Sequence, residues 1–202
     1  MVNTKIVSKD ISKKLSKETS DSIIRSIEKE CQKISPEETG LIALDWLNGR
    51  RTPYADQKLK GAITGLTLGS TAPKIYRALA EATAFGSKAI VERFREDGLK
   101  IEEVVAIGGI PKKSPLVMQI LADVLNMPIK VAESAQAVAL GAAIFGAVSA
   151  KYYKDIYEAQ KHMASRFIKT YYPDDKNVII YEKLYKLYVD LGNRIEDFLK
   201  KL

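Results

Sequence analysis

The first 34 residues place apolar side chains at Ile11, Leu15, Ile23, Ile24 and Ile27, a spacing near the helical period that predicts an amphipathic helix. Ser35-Pro36 then marks a turn or helix start. Gly40 to Leu47 (GLIALDWL) is a short apolar run ending at Asn48-Gly49, which predicts a buried strand or extended segment followed by a turn. Gly61 to Gly69 is punctuated by glycines and shows no clear period. From Ala72-Pro73, apolar positions at Ile75, Leu79, Ala82, Phe85, Ala89, Ile90 and Phe94 predict one long, largely buried helix that stops near Gly98.

The pattern then alternates. A strand is predicted over Val104 to Ile107, a glycine turn at Gly108-Gly109, a helix over Pro115 to Asn126, a strand over Ile129 to Ala132 and a helix over Gln136 to Ala150, an α/β arrangement. Ser114-Pro115 is a helix start: serine caps a free amide and proline suits the first helical position. Leu116, Val117, Ile120, Leu121, Val124 and Leu125 form one apolar face of the helix that follows. The closing segment, 151–202, is read as helical again and holds eight of the ten tyrosines. Tyr181, Tyr185 and Tyr188 fall at i, i+4 and i+7, which fits core packing better than stacking on bases. The chain is thus divided into a helical N-terminal segment (1–36), an α/β domain (37–150) and a C-terminal helical segment (151–202).

Composition narrows the chemistry. With 202 residues, 46% of them apolar, the chain is long enough for one core with a helical appendage. No apolar run approaches the roughly 20 residues that cross a bilayer, and Met1 to Lys13 has no apolar centre of the secretory kind, so a cytoplasmic protein without a membrane partner is expected. One cysteine, Cys31, and one histidine, His162, exclude an internal disulfide and a Cys/His metal cluster. The net charge of +7 raises nucleic acid as a partner, but the lysines alternate with acids, as in Lys13, Lys14, Lys17 and Glu18. That is a solvated helix face, and no nucleic-acid partner is expected.

A glycine pair between strand and helix lets backbone approach a flat ligand, and free amides at a helix start favour negative charge. The same pair equally reads as a tight turn that needs positive φ. No G-x-x-x-x-G-K-[ST] and no strand-borne G-x-G-x-x-G occurs, so neither a P-loop nor a dinucleotide fingerprint is present. Arg50 and Arg51, in the loop Asn48 to Pro53, offer two guanidiniums for phosphate or carboxylate oxygens, or a plain solvated turn.

Four segments in order resemble the C-terminal region of the FGGY carbohydrate kinases: Gly40 to Gly61 (GLIALDWLNGRRTPYADQKLKG), Glu81 to Phe94 (EATAFGSKAIVERF), Ala106 to Val131 (AIGGIPKKSPLVMQILADVLNMPIKV) and Glu133 to Val148 (ESAQAVALGAAIFGAV). The resemblance covers about residues 37 to 165. It implies a ribonuclease-H-like, actin-like ATPase fold, of which this chain is part of the C-terminal domain, with ATP and Mg²⁺ as cofactors. It also implies that Gly108, Gly109, Ile110 and Lys113 lie against the adenosine, and that helix Ala137 to Val148, rich in small residues such as Ala139, Ala142, Ala143 and Gly146, lies at the domain hinge. Several members of the family carry asparagine at the position of Lys113. A contact from this lysine to phosphate and a solvated lysine therefore both remain open.

The NGRRTP and EATAFG wording resembles the members that phosphorylate a pentulose, implying transfer from ATP to the 5-hydroxyl of L-ribulose in L-arabinose catabolism. In that family the base and most sugar contacts come from an N-terminal kinase domain. That domain is not recognisable here, so no catalytic residue is assigned, and the chain alone is expected to hold adenosine without turnover. Asp45, Asp56 and Asp123 each read as turn, cap or solvated helix residues. An isolated half exposes the surface that its partner domain would cover, which allows a homodimer. The alternatives are another FGGY kinase, acting on xylulose, fuculose or a related sugar, and a non-catalytic actin-like interaction module.

Overall fold

The computed structural model describes residues 9–201. Residues 1–8 of the N-terminal segment, and the side chains up to Lys13, that of Ile11 among them, lie outside that description. Helix α1 (Lys9–Cys31) leads through a 3-10 turn (Pro36–Glu38) to β1 (Ile42–Leu44) and β2 (Ala62–Thr64). Then come α2 (Ala72–Glu96), β3 (Val104–Ala106), the one-turn α3 (Ile110–Lys113), α4 (Pro115–Leu125), β4 (Ile129–Ala132), α5 (Ala137–Ser149), α6 (Ile156–Met163), β5 (Phe167–Tyr171) and α7 (Asp175–Leu199). β1 and β2 form an antiparallel pair, while β3, β4 and β5 form a second sheet in that order. β3 and β4 run parallel, joined through α4, and β5 runs antiparallel along β4.

Helix α4 explains how the pieces cohere. Its sequence presents two apolar faces rather than the single one expected, and each enters a different core. Leu116, Ile120 and Val124 pack with Leu44, Phe85, Tyr181 and the rest of the α2–α7 cluster. Met118, Ala122 and Leu125 pack with Ile129, Val131 and Tyr171 over the sheet. Ser114 caps α4 as predicted, accepting from the Val117 amide at 3.1 Å, and its own hydroxyl reaches the buried Glu28 of α1. Asn126 ends the helix in the left-handed region at φ 49°.

Two strands depart from the sequence reading. β2 lies within the glycine-punctuated stretch, its three residues paired to β1 through Ile42↔Thr64 and Leu44↔Ala62. β5 breaks the C-terminal segment that was read as helical throughout. Phe167 to Tyr171 is short and largely exposed, so it carries no strong period of its own, and it is recruited by the free edge of β4. On α1, Leu15, Ile23 and Ile24 remain exposed, and only the last turn, with Cys31, packs onto the core.

Asp123 is also unlike its sequence reading. It is 2% exposed and accepts from Gln119 at 2.8 Å, the Asp174 amide at 2.9 Å and Asn177 at 2.9 Å, which ties α4 to the start of α7. Burial raises its pKa and these three donors work against the rise. Asp123→Ala strands the Asp174 amide and Asn177, while Gln119 keeps its bond to the Tyr172 carbonyl at 2.8 Å, and the expected loss of stability is about 2–3 kcal/mol, readable as a lower urea midpoint with an unchanged m-value.

Candidate nucleotide shelf and its surroundings

β3 and β4 are parallel, and the chain leaves the carboxyl end of β3 through Ile107, Gly108 and Gly109, which is where open α/β sheets present ligand crevices. Gly108 sits at φ 91°, a conformation that glycine adopts without the cost a Cβ imposes. Gly109 adopts an ordinary right-handed backbone, φ −84° and ψ −37°, and opens α3 instead of leading straight into α4. The glycine pair and the Ser114 cap are therefore separated by one helical turn.

A Cβ built on Gly108 or Gly109 meets no heavy atom within 4 Å, so the turn is an open backbone surface. Ile110, 63% exposed, stands beside it, and Lys113, also exposed, makes no ion pair or hydrogen bond among the described residues. Lys112 bonds the Glu133 carbonyl at 2.5 Å, strapping α3 to the loop before α5. The structure thus brings Gly108, Gly109, Ile110 and Lys113 onto one exposed turn. It leaves both readings of Lys113, contact with a ligand and contact with water, equally available.

Helix α5 is nearly all apolar yet mostly uncovered. Ala139, Ala142, Ala143 and Gly146 are exposed, as are Val138 and Phe145, and Ile144 is its one buried residue. An apolar helix face this open is unusual on a monomer.

The arginine loop has a different outcome from the one its composition allowed. Arg50 is committed inside the chain: its Nε donates to the Tyr54 carbonyl at 2.6 Å and its Nη1 donates to Glu196 of α7 at 2.8 Å, while the guanidinium lies 5.0 Å from the Trp46 ring. That anchors the loop on α7 and leaves no free fork for a phosphate. Arg51 is exposed and has no such partner among the described residues.

The three core tyrosines of α7 are buried as their spacing predicts, but the carboxylates that satisfy them were not foreseen. Tyr181 donates to Glu81 at 3.1 Å, Tyr185 to Glu92 at 2.7 Å and Tyr188 to Asp45 at 2.8 Å, around the ring of Phe85. The available signal was the helical spacing of Arg77, Glu81, Lys88 and Glu92 along α2, which places charge on its inner face. Asp45 lies half-buried beside this row, and burial raises its pKa while the Tyr188 hydroxyl lowers it. Among the described residues no group of three or more His, Cys, Asp or Glu side chains could hold a metal ion, and no helix is long and apolar enough to cross a membrane.

The fold, part of the C-terminal domain of a ribonuclease-H-like (actin-like) ATPase with an open glycine turn at the end of a parallel strand, defines the class. The match to the FGGY family of carbohydrate kinases, C-terminal domain, spans residues 7–150, and the chain belongs to that family. It is 53% identical over 155 residues to a ribulokinase of Vibrio parahaemolyticus, covering 77% of this chain and 27% of the relative. It is 44% identical over 191 residues to a ribulokinase of Bacillus licheniformis, covering 90% of this chain and 35% of the relative. Among solved structures, ligand-bound xylulose kinase from Lactobacillus acidophilus superimposes with a TM-score of 0.78 at 26% identity, over 88% of this chain and 36% of the other. The chain thus spans about a third of the length of the relatives it matches.

Proposed function

We propose that this chain is the adenosine-holding part of an ATP-dependent kinase that phosphorylates the 5-hydroxyl of L-ribulose, in L-arabinose breakdown. The observation that carries the reading is the open turn at Gly108-Gly109, a surface without side chains beside Ile110, in a chain whose curated relatives include ribulokinases at 53% and 44% identity. A purine lies flat, and such a turn lets backbone approach it closely. Ile110 supplies apolar contact, and Lys113 stands within the same turn to meet ribose or phosphate oxygens.

Phosphoryl transfer needs charge neutralisation at the γ-phosphate and a carboxylate to accept the sugar hydroxyl proton. In this reading Mg²⁺ would enter with the nucleotide and supply that neutralisation at its phosphates. The base is assigned to a domain this chain does not span. The exposed apolar face of α5 and the uncovered Leu15, Ile23 and Ile24 of α1 are proposed as surfaces against which the rest of the kinase packs. Chain 1–202 alone is expected to bind adenosine nucleotides and not to turn over.

Calorimetry of ATP and ADP against the chain tests the shelf, with binding expected and the absence of any saturable heat counting against it. Assay of the full-length kinase tests the substrate. Transfer to L-ribulose is expected, and transfer to another pentulose or to glycerol, with none to L-ribulose, would defeat that assignment.

A further inference from the structure

The open turn from Gly108 to Lys113 has little of its own to hold it in place. No residue of α3 is buried, and nothing lies within 4 Å of where a Cβ would stand on Gly108 or Gly109. Inside the turn, the Lys112 amide donates to the Gly109 carbonyl at 3.3 Å and the Ser114 amide to the Ile110 carbonyl at 2.9 Å. A single turn of helix is marginal by itself, so where it sits depends on what grips its ends.

One end follows β3, which is paired along its length with β4. The other end is Ser114, the residue at which α3 stops and α4 begins. Ser114 is 8% exposed and its hydroxyl has two partners: it accepts from the Val117 amide at 3.1 Å and donates its proton to Oε1 of Glu28. Glu28 is also 8% exposed and stands near the end of α1, 86 positions earlier in the chain.

Glu28 is an odd side chain to bury. No cation pairs with it among the described residues, and the buried Arg77 guanidinium is bonded to Glu81 instead. Taking an acidic side chain out of water is costly unless its oxygens are hydrogen-bonded, and an apolar residue of the same length would fill the space without that cost. What Glu28 gains is local. Ser114 caps α4, eleven residues long, so the Glu28 carboxyl lies at the positive end of that helix, where acidic groups are favoured. With the hydroxyl proton committed to Glu28, the oxygen lone pairs are left for the α4 amides and the rotor is locked. Ser114 is then fixed relative to α1, and so is the turn that runs into it. Lys112 supplies a second grip through the Glu133 carbonyl.

We propose that Glu28 is a positioning residue of the nucleotide site: by holding the Ser114 hydroxyl it sets the joint between α3 and α4, and through that joint the placement of the turn from Gly108 to Lys113. In this role it touches no nucleotide and acts through Ser114. The role presupposes the adenosine shelf proposed above, and it makes the end of α1 part of that site.

The test compares variants of chain 1–202 by ADP calorimetry, urea melts and amide exchange. Glu28→Met keeps the length of the side chain and removes the acceptor, whereas Glu28→Gln keeps an oxygen that accepts from Ser114. Glu28→Met is expected to weaken ADP binding about tenfold, and Glu28→Gln to stay within about twofold of the parent chain. Tyr188→Phe, which takes a donor from Asp45 elsewhere in the core, is expected to lower the urea midpoint and leave ADP binding unchanged. Ser114→Ala should weaken binding by at least as much as Glu28→Met, and adding Glu28→Met to it should change nothing further. Without nucleotide, exchange of the Ser114 and Val117 amides should quicken in Glu28→Met while α7 keeps the parent rates. The proposal is overturned if Glu28→Met binds ADP as the parent does, if Tyr188→Phe weakens binding equally, if Glu28→Gln fails to restore it, or if the Glu28 and Ser114 losses add. A parent chain that gives no saturable ADP heat removes the shelf itself and with it any role for Glu28. The other outcomes leave the shelf standing, so the two failures are told apart.

Discussion

Gly109→Val is expected to leave the melting temperature of the chain where it is and to weaken binding of ATP, ADP and adenosine alike by on the order of a hundredfold. Two features make this substitution clean. The backbone at Gly109 is in the right-handed region, which valine adopts, and a Cβ there meets nothing within 4 Å. The added side chain therefore strains nothing in the protein and fills only the space assigned to the nucleoside. Gly108 lacks this property: at φ 91° any L-residue costs backbone energy, so a loss of binding in Gly108→Ala would mix strain with blockage. Equal heats for the parent chain and Gly109→Val in an ADP titration would remove the shelf as the adenosine site. A loss confined to ATP, with adenosine unaffected, would instead locate the contact at the phosphates and bring Lys113 forward.

The fold was legible where periods were long. The α2 pattern from Ile75 to Phe94 spans between five and six turns of helix, and the strand–turn–helix run from Val104 to Ala132 carries a capping serine and a proline at the helix start, so local signals agree with the packing. It was illegible where tertiary context decides. β2 and β5 are three and five residues long and exist because a neighbouring edge needs hydrogen bonds, which no window of sequence reveals. The one-turn α3 is likewise too short to announce itself.

At the candidate site the glycine pair was readable, and its openness was not, because an open turn and a plugged one have the same sequence. Arg50 shows the reverse limit. Its two hydrogen-bonded anchors, Tyr54 and Glu196, stand four and 146 residues away, so its commitment to the interior was invisible in the motif that contains it. Three acids, Asp45, Glu81 and Glu92, looked unremarkable one at a time, and only α7 docking turned them into partners for three tyrosines.

The deepest of these pairs carries the largest expected stability effect. Arg77 and Glu81 are 5% and 2% exposed, bonded at 2.8 Å, and Arg77 also donates to the Tyr181 hydroxyl at 2.8 Å and to the Cys31 carbonyl at 3.4 Å. Burial pushes the Glu81 carboxyl up from 4.5 to about 7, against the pull of Arg77. Arg77→Ala removes that pull and leaves a carboxylate enclosed by Tyr181 and apolar side chains, for an expected loss of about 3–5 kcal/mol when the group is ionised.

The pH dependence gives this prediction its sharper edge. A carboxyl whose folded pKa exceeds its unfolded value holds its proton more tightly in the fold. Its stabilising contribution is complete below about 4.5 and is lost as pH rises through about 7. In Arg77→Ala the folded pKa rises further, so at pH 5 Glu81 is protonated in parent and variant alike and most of the penalty is absent, whereas at pH 8 the variant must either bury an unpaired charge or bind a proton at a cost. Urea melts should therefore show a much larger deficit for Arg77→Ala at pH 8 than at pH 5. The double variant Arg77→Ala, Glu81→Gln should lose that difference. A deficit independent of pH would mean that the arginine acts through packing and the Tyr181 hydroxyl alone, and that Glu81 does not share its charge with the core.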